Sequence, residues 1–187
     1  DPNISTNVGI VATREGKAYV GFRGAQSNAE NPTEHAMSKR DVANVQRVLA
    51  GRRVHNDGMY DLISAAEAEH GGIEGVYGYS LGAQRVVELA HAGALDGVNE
   101  VSIVNPLLGP REIQRGVPEF VEIGRTVEDF ASGPALALAL QNNTISHEQV
   151  TTVRGVDGSG SHDLAHFFPG QTRGRTIEQR VLENPAT

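Results

Sequence analysis

The sequence contains no cysteine. That excludes disulfide staples, cysteine-ligated zinc and thiol catalysis. No apolar run is long enough to span a bilayer, and no secretory signal pattern is visible. Positive charge is also sparse. Lys and Arg number 16 against 23 Asp and Glu, the net charge is −7, and the basic residues do not cluster. A nucleic-acid partner, which needs a positive surface against its phosphates, is therefore disfavoured. Internal repeats and low-complexity linkers are missing too. The first residue is Asp1 rather than Met, which reads as an excised or processed piece of a longer chain. Its other domains would then be candidate partners. None of this fixes a compartment.

What is present reads as a water-soluble globular chain. Its 187 residues suit one domain, 1–187, with a core large enough to need no covalent staple. Residues 7–13 (NVGIVAT) and 17–22 (KAYVGF) are expected strands, joined by Arg14-Glu15-Gly16 as a tight hairpin turn. Val42, Val45, Val48 and Leu49 recur at helical spacing and stop at Gly51; Met59, Leu62, Ile63 and Ala66 mark a second helix. Strands are expected at 75–79, 100–104, 120–123 and 149–153, and helices at 81–92 and near Ser161. Residues 134–140 (PALALAL) alternate with period two, yet Leu and Ala favour a short helix. Strands alternating with helices predict an α/β fold. Its central sheet is mostly parallel, covered by helices on both faces, with an antiparallel N-terminal hairpin.

One stretch carries chemistry. GVYGYSLGAQ, residues 75–84, places Ser80 between Gly78 and Gly82, after an expected strand and before an expected helix. A serine on such a turn is pushed out of the sheet edge, and glycine is needed on both sides because a side chain there meets the neighbouring strand or helix. The amide of Leu81, at the helix start, is placed to receive an oxyanion. The competing reading is a glycine-rich turn with a structural serine.

A serine hydroxyl needs a base, and the base an orienting acid. On this architecture the order along the chain is serine, acid, histidine. His147, His162 and His166 follow the helix after Ser80, whereas His91 lies inside it on the wrong side to return. Asp129 follows the strand at 120, with Glu128 beside it; Asp96 comes too early. His162 and His166 both remain open as the base, and His162 is preferred because it sits at a loop-to-helix junction. The pair is four residues apart and without a third ligand, which is weak evidence for metal.

Six segments together carry a resemblance: AYVGFRGAQS (18–27), SKRDVANVQRVLAG (38–51), GVYGYSLGAQ (75–84), VNPLLGP (104–110), GRTVEDFAS (124–132) and GSHDLAHFF (160–168). In this order they resemble the fungal-type (class 3) lipases of the α/β-hydrolase superfamily. The resemblance implies a small α/β-hydrolase fold and hydrolysis of carboxylic esters. Ser80 would be the nucleophile, Asp129 the acid and His162 the base. The backbone amides of Ala25 and Leu81 would form the oxyanion hole. It also implies an ester or lipid substrate presented at a membrane or micelle surface, and no cofactor or metal. Tyr79 stands where the family usually has His. Two other readings stay open: acyl transfer to an acceptor other than water, and a hydrolase-like fold kept as a binding or assembly module of a larger protein.

Overall fold

In the computed structural model, residues 4–5, 8–25, 39–126 and 132–153 are described. Seven strands form one sheet: β1 (Ile4–Ser5), β2 (Gly9–Arg14), β3 (Lys17–Phe22), β4 (Gly75–Tyr79), β5 (Glu100–Val104), β6 (Glu122–Thr126) and β7 (Val150–Val153). Five helices intervene: α1 (Lys39–Leu49), α2 (Met59–His70), α3 (Leu81–His91), α4 (Pro110–Arg115) and α5 (Gly133–Gln141). The order of strands across the sheet is their order in the chain. β1, β2 and β3 pair antiparallel, and β3 through β7 pair parallel. The fold is thus α/β, with a mostly parallel sheet and an antiparallel N-terminal edge. Among the described residues, no helix is long and apolar enough to cross a membrane.

Period-two alternation sorts the strands onto two faces. On one face Val11, Val20, Phe22, Val76, Val101, Ile103 and Ile123 join Leu62 and Ile63 of α2, Val86 and Leu89 of α3, and Leu136 and Ala139 of α5 in the main core. Successive right-handed crossovers that all step the same way across a sheet place their helices on the same side, which accounts for this concentration. The other face gathers Tyr19, Tyr77 and Tyr79 with Ile10, Ala12 and Val104, and no residue of the described helices belongs to that cluster. Tyr19 and Tyr77 stack there at 6.3 Å. Helices on both faces were expected; the described helices supply one.

The hairpin turns on Glu15 and Gly16, with φ of 54° and 79°. Arg14 pairs with Lys17, so the loop has two residues, as the right-handed twist of a hairpin favours. Several elements differ from the expectation, the short β1 among them. β6 begins at Glu122, not at Phe120, because the amide of Val121 is turned back onto the carbonyl of Pro118 at 2.9 Å. Phe120 is left half exposed in that turn. On α1 the buried pair is Asn44 and Val48, and Leu49 faces outward. Asn44 tolerates burial because its Oδ1 accepts the His55 amide at 3.0 Å. α4 was not expected at all. Pro110 opens it, and the Glu112 carboxylate accepts the Gly109 amide at 3.0 Å, which suffices for six residues.

Candidate active site

Only Ser80 separates the end of β4 from the start of α3. The chain must turn from strand to helix within that residue, and its backbone takes φ 53° and ψ −116°. Such angles cost a non-glycine residue about 1–3 kcal/mol and persist only when the surroundings enforce them. They are enforced here on three sides. The Ser80 amide donates to the Val104 carbonyl at 3.0 Å, extending the β4–β5 ladder. The Ser80 carbonyl accepts from Ala83 at 3.1 Å and from Leu107 at 3.2 Å. Both flanking glycines are contact-limited: a Cβ on Gly82 would lie 2.2 Å from the Phe22 carbonyl oxygen, and one on Gly78 would lie 2.8 Å from the Ala83 Cα.

The segment after β3 crosses directly over this turn. A Cβ on Gly24 would lie 3.1 Å from the Ser80 Cβ and 3.0 Å from the Tyr79 ring. Next along the chain, Ala25 packs with Val48, Val54 and Leu81. The structure therefore brings Ala25 and Leu81 into one apolar cluster beside Ser80. Leu81 opens α3, where the first amides have no partner within the helix.

α3 itself is buried along ten consecutive residues, Leu81 to Ala90, so three of its polar side chains need partners inside. Gln84 donates from Nε2 to the Leu107 carbonyl. Arg85 grips Asp57 with two hydrogen bonds, 2.7 and 3.2 Å, and Arg40 of α1 closes on the same carboxylate at 2.8 Å. Burial alone would raise the Asp57 carboxyl pKa; the two guanidinium groups overcome it, Arg85 foremost, and hold it below the ordinary value. Glu88 pairs with Arg111 of α4. Asp57 lies just before the turn that Gly58 makes at φ 95° into α2. The ion pair had no signal in the sequence.

Of the other candidates, Asp129, Glu128, His162 and His166 lie outside the described residues, as does the helix expected near Ser161. β6, the strand that precedes Asp129 in the chain, ends at Thr126, with β5 between it and the strand that leads to Ser80. The Thr126 amide donates at 2.9 Å to the Oδ1 of Asn105, the residue after Val104. His91 sits at the far end of α3, about 16 Å from Ser80 by helix rise. Its ring Nε2 meets the Gly116 carbonyl at 3.1 Å. Burial lowers its pKa. His147 opens the short 3-10 turn before β7. Because β7 runs parallel to β4 through β6, that is the opposite edge of the sheet from Ser80. His162 and His166 therefore remain as the candidate bases.

No family model matches the chain, and neither a curated protein nor a solved structure matches it. Among the described residues no group of three His, Asp or Glu is placed to hold a metal ion.

Proposed function

We propose that this protein is a serine hydrolase of carboxylic esters, built on a lipase-like α/β-hydrolase fold. The observation that carries the reading is the backbone of Ser80, turned to φ 53° and ψ −116° between two glycines that cannot accept a Cβ. A strained serine at the carboxyl end of a central parallel strand, capping a buried helix, is the arrangement that a nucleophile requires.

In this mechanism the Ser80 oxygen attacks the ester carbonyl carbon while His162 removes the hydroxyl proton. Asp129 holds the imidazole in the productive tautomer and stabilises its charged form. The amides of Ala25 and Leu81 receive the negative charge that develops on the carbonyl oxygen, each such donor contributing about 3 kcal/mol. The C–O bond to the alcohol breaks, and the alcohol leaves with the proton from His162. Water, deprotonated by the same imidazole, then attacks the acyl carbon; the bond to the Ser80 oxygen breaks, that oxygen takes the proton back from His162, and the carboxylic acid is freed. Acylglycerol or phospholipid esters and short-chain esters both suit this chemistry.

The test is fluorophosphonate labelling together with hydrolysis of p-nitrophenyl esters from short to long acyl chains. Labelling at Ser80, lost in His162→Ala, supports the reading. No hydrolysis at any chain length by a folded sample overturns it in favour of a binding or assembly module.

A further inference from the structure

Asn105 follows β5 and takes φ 43°, a left-handed turn that carries the chain off the sheet. The backbone pairing of β5 with β6 stops at Val104 and Gly124, yet β6 runs on to Thr126. Asn105 bridges that gap with both ends of the residue. Its amide donates to the Gly124 carbonyl at 2.8 Å, and its side-chain Oδ1 accepts the Thr126 amide at 2.9 Å. The side chain thus stands in for the ladder carbonyl that the turning backbone removed. Asn105 and Thr126 are both fully buried, where an amide left without an acceptor is costly. The same short stretch is tied to the nucleophile turn on its other side, through Val104 to the Ser80 amide and through Leu107 to the Ser80 carbonyl.

We propose that Asn105 is a positioning residue for the hydrolytic site, fixing the end of β6, the strand that precedes Asp129 in the chain, relative to the Ser80 turn. This rests on the hydrolase reading above. Asn suits the position twice over: it tolerates positive φ, and its side chain imitates a peptide carbonyl. Among the described residues the Asn105 Nδ2 is buried without a hydrogen-bond partner.

Asn105→Gly separates backbone from side chain, because glycine keeps the turn and deletes only the clamp. The expected result is a loss of Thr126 amide protection in hydrogen exchange, with kcat for a p-nitrophenyl ester reduced about 10-fold or more and KM changed less than about threefold. The acid limb of kcat/KM should move to lower pH, because an imidazole less well faced by its carboxylate is easier to deprotonate. Asn105→Asp, which keeps the acceptor, should restore Thr126 protection and most of kcat. Unchanged protection in the glycine variant overturns the clamp. Lost protection with unchanged kcat and pH profile overturns the catalytic role. A parent inert toward every ester overturns the hydrolase reading and the catalytic role with it, while the Thr126 exchange result still decides the clamp.

Discussion

At Glu15 the backbone turns with φ 54°, and at Ser80 it turns with φ 53°. The first lies at the tip of an exposed hairpin, where a Cβ added to the neighbouring Gly16 would meet nothing within 4 Å. The second is held by the Val104 carbonyl and by the Ala83 and Leu107 amides, and, two residues on, the Phe22 carbonyl leaves no room for a Cβ on Gly82. The hairpin uses a positive φ because the twist of two strands favours it, and no other contact depends on the angle. At Ser80 hydrogen bonds from separate parts of the chain hold the angle. The same dihedral is a local convenience in one place and an over-determined arrangement in the other. A positive φ therefore carries functional weight through its surroundings, not through its value.

The largest test of this contrast removes the hydroxyl. Ser80→Ala should lower kcat by about 10⁴-fold or more in the ester assay, while Glu15→Ala should leave kcat unchanged. Next comes the packing around each turn. Gly82→Ala forces a Cβ to 2.2 Å from the Phe22 carbonyl and should destabilise the fold by about 4 kcal/mol in urea titration. Gly16→Ala, with open space but φ 79°, should cost about 1 kcal/mol.

Between these two lies the ion pair of Arg85 on α3 with Asp57. Asp57→Asn leaves Arg85, 3% exposed, without its counter-charge and should cost about 3 kcal/mol. Because the folded pKa of Asp57 is depressed, its contribution is complete above the ordinary carboxylate pKa and is lost as pH falls through the folded value. Urea midpoints measured down to about pH 3 should therefore fall less steeply in Asp57→Asn than in the parent. The smallest effect is expected at the hairpin. Glu15→Gly should change stability by less than about 1 kcal/mol, since relief of the angle and added chain entropy oppose one another.

The frame of the fold was legible because strand residues alternate and helix faces repeat. The hairpin turn, the run from β4 through Ser80 into α3, and the buried stripe of α2 follow from those periods. Sequence reasoning failed where a single hydrogen bond outranked the pattern. Phe120 has the composition of a strand residue, but the Pro118 carbonyl captures the Val121 amide before the strand can start. Asn44 lies outside the apolar pattern of α1, and it is buried because its oxygen accepts the amide of His55 in the loop beyond the helix. Glu112 stabilises a helix too short for any period to reveal. Within the site, Ser80 was visible through its two glycines. Asn105 was not, since a lone Asn before Pro reads as an ordinary turn. Its acceptor role depends on Thr126, 21 residues away along the chain.

The strict agreement between strand order and chain order bears on how the molecule forms. Among the described strands none has to be threaded between two that are already joined, since each one docks on the outer edge left by its predecessor. Synthesis delivers the amino-terminal hairpin first, and every later crossover then finds a template waiting. The sheet can be assembled in the direction of translation, like a wall raised from one end.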